Sequence, residues 1–158
     1  MATTGRSAVA SEPDAESVLS DAEFVRVTAA PTGGSVAAAA MLAGACDEHA
    51  VPFQVRVARA APASLGGDAA SHVTVGIDDE DADASVTDDV ASEAFALARE
   101  AGCDPDPVLA FAGAVADGVA PSSDVREAAG LERRPGVGVP TADLAAGLAH
   151  STLFHASF

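Results

Sequence analysis

A few short segments of this chain have the residue types and spacing to do chemistry. PTGGS, Pro31 to Ser35, places Thr32, Gly33, Gly34 and Ser35 in a glycine loop that opens onto a small-residue helix. Backbone N–H groups at a helix start attract anions, so such a loop can cradle a phosphate. The full phosphate-loop pattern, G-x-x-x-x-G-K-[ST], requires a lysine, and the chain contains none. A tight turn between strand and helix accounts for the same residues. Asp78 and Asp79 directly follow the apolar run HVTVGI. A carboxylate at the end of a parallel strand can reach a metal ion over the sheet edge, and the start of an acidic surface loop is the competing reading. Asp117, in AFAGAVADGVA, reads as a polar helix end. Cys46 and His49 form a lone C-x-x-H on a helix. Zinc would need two more ligands, so a buried thiol is the simpler reading. Arg133 and Arg134 are the adjacent basic pair, suited to a phosphate, an acidic partner or a surface salt bridge. His150 and His155 lie near the chain end without a paired Cys or carboxylate pattern, and no G-x-S-x-G nucleophile elbow occurs.

The elements that must position these residues follow from hydrophobic pattern. FVRV, Phe24 to Val27, is a short β-branched run; AAPTGG turns the chain; SVAAAAMLAGACDEHA has strong helix propensity; VPFQVRV returns as a second strand. In an open α/β sheet, ligands sit at the carboxyl ends of strands, so residues 29–35 line the default site. None of them carries a charge. Upstream, residues 1–12 are small and polar, the composition of a mobile terminus. Pro13 to Ala22 can form a helix covering an edge of the sheet. Ala61 to Ser71 is a Gly/Ser/Ala-rich loop, and His72 to Ile77 a third strand with the near-continuous apolar run of a strand covered on both faces.

Asp78 to Asp89 then reads as an acidic connector, with Asp88 and Asp89 at helix N-cap positions. The next helix runs from Val90 to Ala101, with Val90, Ala94, Leu97 and Ala98 on one side and Gly102 at its end. VLAFAGAVADGVA is a helix apolar on nearly every face, which predicts a central position. A turn and short helix follow, then a helix capped by Thr141, then STLFHASF as a last strand. Strands alternating with helices argue for a mostly parallel α/β sheet.

Strand, glycine loop, small-residue helix and VPFQVRV together resemble the opening unit of the DHH phosphoesterases, the family of RecJ-type single-strand exonucleases. That opening reads histidine, any residue, aspartate, any residue, aspartate, glycine, and its aspartates hold manganese or magnesium. On this sequence the histidine falls at Ala29, the aspartates at Pro31 and Gly33, and the glycine at Gly34. Only the glycine is kept, and no two histidines are adjacent to supply the family's Asp-His-His. The resemblance assigns Asp78 to a second metal-binding strand end. It assigns Asp117, spaced from Gly113 as in Gly-x-x-x-Asp, to a further metal aspartate. The segment from Leu131 to Phe158 resembles the linker and helix that follow the nuclease domain in RecJ-like archaeal proteins.

Composition narrows the remaining classes. The 158 residues suffice for one domain with a real core. Asp and Glu number 24 against 8 basic residues, all Arg, for a net charge of −16, and Tyr and Trp are absent. This is the composition of a proteome adapted to molar intracellular salt, as in haloarchaea, where screening reaches down to a few ångströms. The acidity therefore reads as solvated surface. No basic stripe or aromatic stacking platform supports nucleic-acid binding. No apolar run is long enough to span a membrane, and the start lacks the apolar core of a signal peptide, so a cytoplasmic location is expected.

The sequence thus predicts a three-layer α/β/α domain over residues 13–158, DHH-like, with a mainly parallel sheet of about five strands, either standing alone or as the N-terminal part of a longer architecture. The resemblance, with its first motif lost, implies a non-catalytic scaffold in DNA replication or repair that binds the GINS complex of the archaeal replicative helicase. No cofactor is expected on that reading. The alternatives are a manganese- or magnesium-dependent single-strand exonuclease using Asp78 and Asp117, and a small-molecule or nucleotide-binding domain using Thr32 to Ser35.

Overall fold

The computed structural model describes residues 15–61 and 70–131. In chain order the elements are α1 (Ala15–Asp21), β1 (Val25–Ala29), α2 (Gly33–Glu48), β2 (Phe53–Val57), β3 (Ser71–Val75), β4 (Ala84–Val86), α3 (Val90–Glu100), α4 (Pro107–Ala116) and α5 (Ser123–Ala129). The four strands form one sheet in the order β2-β1-β3-β4, and every pairing is parallel. The domain is therefore α/β with a parallel sheet, as the alternation of strands and helices predicts. The fifth strand expected at 151–158, the helix at Thr141, and Arg133, Arg134, His150 and His155 lie outside the described residues.

Register divides the sheet into two chemically distinct faces. Val25, Val27 and Ala29 align with Phe53, Val55 and Val57 on one side and with Ser71, Val73 and Val75 on the other. Val73 and Val75 in turn align with Ala84 and Val86. This apolar face joins helix residues such as Leu42, Ala94 and Phe95 in one core cluster. The opposite face carries Arg26, Thr28, Gln54, Arg56, His72, Thr74 and Ser85. Its middle is nevertheless closed: Thr28, His72 and Thr74 are buried. Thr28 and Thr74 fit here because a β-branched hydroxyl residue keeps strand propensity while pairing laterally. Thr28 Oγ1 meets His72 Nε2 at 3.0 Å, and Thr74 Oγ1 meets Ser85 Oγ at 2.6 Å.

Several local expectations are revised. β3 stops at Val75 instead of running to Ile77, because Gly76 turns the chain at φ +67°. A side chain there would strike Ser35 Oγ. Asp78 therefore does not cap a strand end. It is exposed in the return from β3 to β4. The acidic connector conceals β4, a strand of 3 residues. Parallel pairing ordinarily needs a crossover of about a dozen residues or more; the return from Gly76 to Asp83 manages with fewer because β4 is so short. That return lies along the polar face, with Asp79 near His72 and Ser85.

α1 packs through Val18 and Leu19 against α2 and α3 rather than over a sheet edge. The central helix is α2, not α4. α2 lies on β1, β2 and β3 and also touches α3 and α4. Its alanines let all these neighbours approach. α4 buries only Ala110, Gly113 and Ala114 among α2, α3 and α5, and leaves Val108 and Val115 exposed. Its apolar composition overstated how much of it is covered.

Candidate functional site

The loop after β1 and the end of α4 meet. Thr32 is the N-cap of α2, and its Oγ1 accepts the Ser35 N–H at 3.2 Å. Asp117 is the C-cap of α4. Its Oδ1 accepts the Gly34 N–H at 2.9 Å, and its Oδ2 accepts the Thr32 hydroxyl at 3.0 Å. The first N–H groups of a helix lack intrahelical partners and carry partial positive charge. Here the Asp117 carboxylate satisfies the Gly34 N–H and the Thr32 hydroxyl satisfies the Ser35 N–H. Glycine is required for so close an approach. A Cβ at Gly33 would stand 2.5 Å from Ala116 Cβ, one at Gly34 would run into the Asp117 carboxylate, and one at Gly113 would stand 2.7 Å from Ala37 Cβ.

A cavity of about 200 Å³ opens beside this junction, lined by Thr32, Ser35, Gly76, Thr87, Asp89 and Asp117 among others. It lies past the carboxyl ends of β1, β3 and β4. The chain leaves β1 toward β2 on one side and returns to β3 on the other, so this is the topological switch point where α/β sheets place ligands. Asp89, at the N-cap of α3, also lines it. Contrary to the expected role, its side chain makes no capping hydrogen bond, and its backbone is left-handed at φ 39°.

The sequence candidates are therefore partly united. Thr32, Gly33, Gly34, Ser35 and Asp117 share one site, although Thr32 and Asp117 are 85 residues apart. Asp78 is not among the cavity residues. Among the described residues no group of three or more His, Cys, Asp or Glu side chains is placed to hold a metal ion. A two-metal phosphodiesterase centre needs several shared carboxylates with free lone pairs. Asp117 is a single carboxylate whose two oxygens each already accept one hydrogen bond, and Pro31 and Gly33 offer no ligand to share a metal with it. The described residues at this site do not fit a manganese or magnesium pair. A phosphate at the start of α2 would in turn meet the Asp117 carboxylate.

Sequence reading passed over His72. Its Nδ1 is buried without a hydrogen-bond partner, 3.7 Å from Asp79 Oδ2, while its backbone N–H donates to Asp83 Oδ2 at 2.7 Å. Burial holds the imidazole pKa below its ordinary value; Asp79 and Asp83 oppose that shift and Arg26 adds to it. The available signal was alternation, since His72 and Thr74 are the polar positions of the run HVTVGI.

The C-x-x-H gains a neighbour from a distance. His49 Nε2 donates to Ala101 O at 2.8 Å and lies 3.4 Å from Cys103 Sγ. Because that nitrogen carries its proton toward a carbonyl, it cannot act as a base for Cys103. Burial raises the Cys103 pKa, with Glu48 adding to it, and pushes the Cys46 thiol up to about 11. Neither thiol is activated, so the group fastens the ends of α2 and α3.

The fold and site thus define an α/β domain with a self-capped switch-point loop. Over 163 aligned residues the chain is 41% identical to an uncharacterized protein of Haloarcula marismortui. The match takes in 100% of this chain and 43% of that protein, so the chain spans less than half the length of the relative it matches. No protein-family model matches the chain, and no solved structure does.

Proposed function

We propose that this chain is a non-catalytic, DHH-type α/β scaffold of RecJ-like origin, acting in the cytoplasm and binding GINS in an archaeal replicative helicase assembly. The observation that supports loss of catalysis is the use of Asp117. The aspartate that best matches the family's metal motif closes the α2 N-terminus instead, and the neighbouring first-motif positions are Pro31 and Gly33. The three-layer DHH architecture and the partner rest on the family resemblance.

The test is affinity purification of the tagged protein from its own high-salt lysate, read by mass spectrometry, beside a manganese-dependent nuclease assay on single-stranded DNA. GINS recovery without cleavage is expected. Absence of every replication protein, while a known helicase subunit used as parallel bait recovers its partners, would refute the scaffold role. Manganese-dependent cleavage abolished by Asp117→Ala would establish the nuclease instead.

The switch-point cavity favours one second reading, a small-molecule domain. Asp89 and Asp117 on its wall select neutral or cationic ligands over phosphorylated ones. Thermal-shift screening of nucleosides against their phosphates separates these classes.

A further inference from the structure

β2 is the outer strand of the sheet among the described residues, and it is exposed along its whole length. Its apolar side chains are uncovered: Phe53 is 39%, Val55 42% and Val57 53% exposed. α2 sits over the middle of the sheet and leaves them half open. The hydrogen-bond phase is fixed at both ends, where Val25 N donates to Pro52 O and Ala58 N donates to Ala29 O, each at 2.9 Å. Even-numbered residues of β2 thus bond to β1. The N–H and C=O groups of Phe53, Val55 and Val57 point to the open edge.

Exposed apolar edges invite pairing with another strand, and natural proteins commonly block them with charge, bulges or proline inside the strand. β2 has neither proline nor bulge within it, and its one charge, Arg56, lies on the polar face, away from the apolar row. The local charge of β2 is also opposite in sign to that of the chain as a whole. In a chain of net charge −16, no Asp or Glu occurs between Glu48 and Asp68, while Arg56 and Arg59 lie on and just beyond β2. Both arginines are exposed. Arg56 shares the polar face with Gln54, and Phe53, Val55 and Val57 share the other.

From this pattern we infer that β2 is a docking edge for an extended segment of a partner protein that alternates apolar and acidic residues. The partner strand bonds to the outward groups of Phe53, Val55 and Val57. Its apolar side chains extend the row over the core, and its carboxylates lie beside Arg56 and Arg59. Strand addition of this kind draws affinity from the main chain and specificity from alternate side chains. In molar salt, screening leaves charge complementarity effective only at contact distance, where Arg56 would act. A second copy of the chain fits less well, because its β2 would bring arginines toward arginines. The inference deepens the scaffold reading and rests on it, since it places the partner's docking edge.

The probe is a short fluorescein-labelled peptide alternating valine and glutamate, titrated in molar KCl against the wild type, Val55→Pro and the Arg56→Glu/Arg59→Glu double variant. Val55→Pro removes an outward N–H without touching the ladder to β1. The double variant changes only exposed side chains and guards against a folding defect in the first. Wild-type binding is expected, weakened about tenfold in each variant, the effect of roughly one lost hydrogen bond or contact ion pair. A valine–lysine peptide should not bind. No binding of the valine–glutamate peptide to folded wild type, equal binding of both peptides, or unchanged affinity in the variants would overturn the inference. So would a wild-type dimer that Val55→Pro converts to monomer in sedimentation, which would assign the edge to a second copy. The same variants serve as baits: GINS retained by both would leave the scaffold role standing and remove the edge, whereas GINS absent even from wild type would remove the scaffold role.

Discussion

Asp117 decides between structure and catalysis at the residue scale. Its carboxylate bonds Gly34 N–H and the Thr32 hydroxyl. A side chain that satisfies a helix N-terminus is worth about 1 kcal/mol, with a range of roughly 0.5–2. Asp117→Ala should therefore lower unfolding stability by about that amount, read as a lower urea midpoint with unchanged slope. An unpartnered metal-site carboxylate would give the opposite sign, since deleting it relieves charge. His72 makes a pH-dependent prediction. Its folded pKa lies below the unfolded value, so the unfolded state binds the proton more readily. The stability from keeping the ring neutral is complete above the unfolded pKa, near 6.5, and is lost as pH falls through the lower folded value. His72→Gln should flatten the pH dependence of the melting temperature below about pH 6.5. Asp117 was legible in the sequence as a polar helix end, His72 only as a strand position, and the partners of neither were legible. Neither the return of Asp117 to Thr32 nor that of Asp79 to His72 follows from local pattern, because both depend on how the elements pack.

At the element scale, what sequence pattern reveals depends on how much of an element's environment is local. β1, α2 and β2 were legible because propensity, loop chemistry and apolar pattern agree within each segment. β4 was hidden because ASV sits inside an acidic run and gains its strand character only by pairing with β3. α4 was misplaced for another reason: an apolar helix of small residues can cover little and still pack closely. Gly113 shows how closely, with Gly34 Cα 3.4 Å from where a Cβ would stand, Ala91 Cβ at 3.1 Å and Ala37 Cβ at 2.7 Å. In an exposed helix Gly→Ala gains about 1 kcal/mol of propensity. At this position the α2–α3–α4 junction must open, an overpacking cost of roughly 1–3 kcal/mol. Gly113→Ala should therefore be neutral to destabilising, as measured by guanidinium unfolding. A stabilised variant would show that the helices are not in close contact. Gly34→Val is a poor probe of ligand binding for the same reason, since its side chain would displace Asp117 whether or not a ligand is present.

For the whole molecule, the charge balance links sequence to working conditions most directly. A net charge of −16 on 158 residues makes self-repulsion a general destabilising term. The repulsion is concentrated where acids gather, and the start of α3 gathers Asp88, Asp89 and Glu93. Glu93 remains exposed, yet partial desolvation raises its pKa and the two neighbouring aspartates raise it further, so folding disfavours its ionised form. Salt acts on the exposed part of this repulsion. The Debye length falls from about 10 Å at 0.1 M to about 3 Å at 1 M. The unfolding midpoint should therefore rise as KCl goes from about 0.1 M into the molar range. Glu93→Gln should raise stability by a few tenths of a kcal/mol at low salt, the size of a relieved like-charge pair, and by less in molar KCl. The His72 effect comes from burial, so its pH dependence should survive at both salt concentrations. Melting curves of wild type, Glu93→Gln and His72→Gln, each at low and molar KCl, separate the two terms. A Glu93→Gln gain that persists undiminished in molar salt would show that desolvation, not repulsion among the acids, sets the stability of this surface.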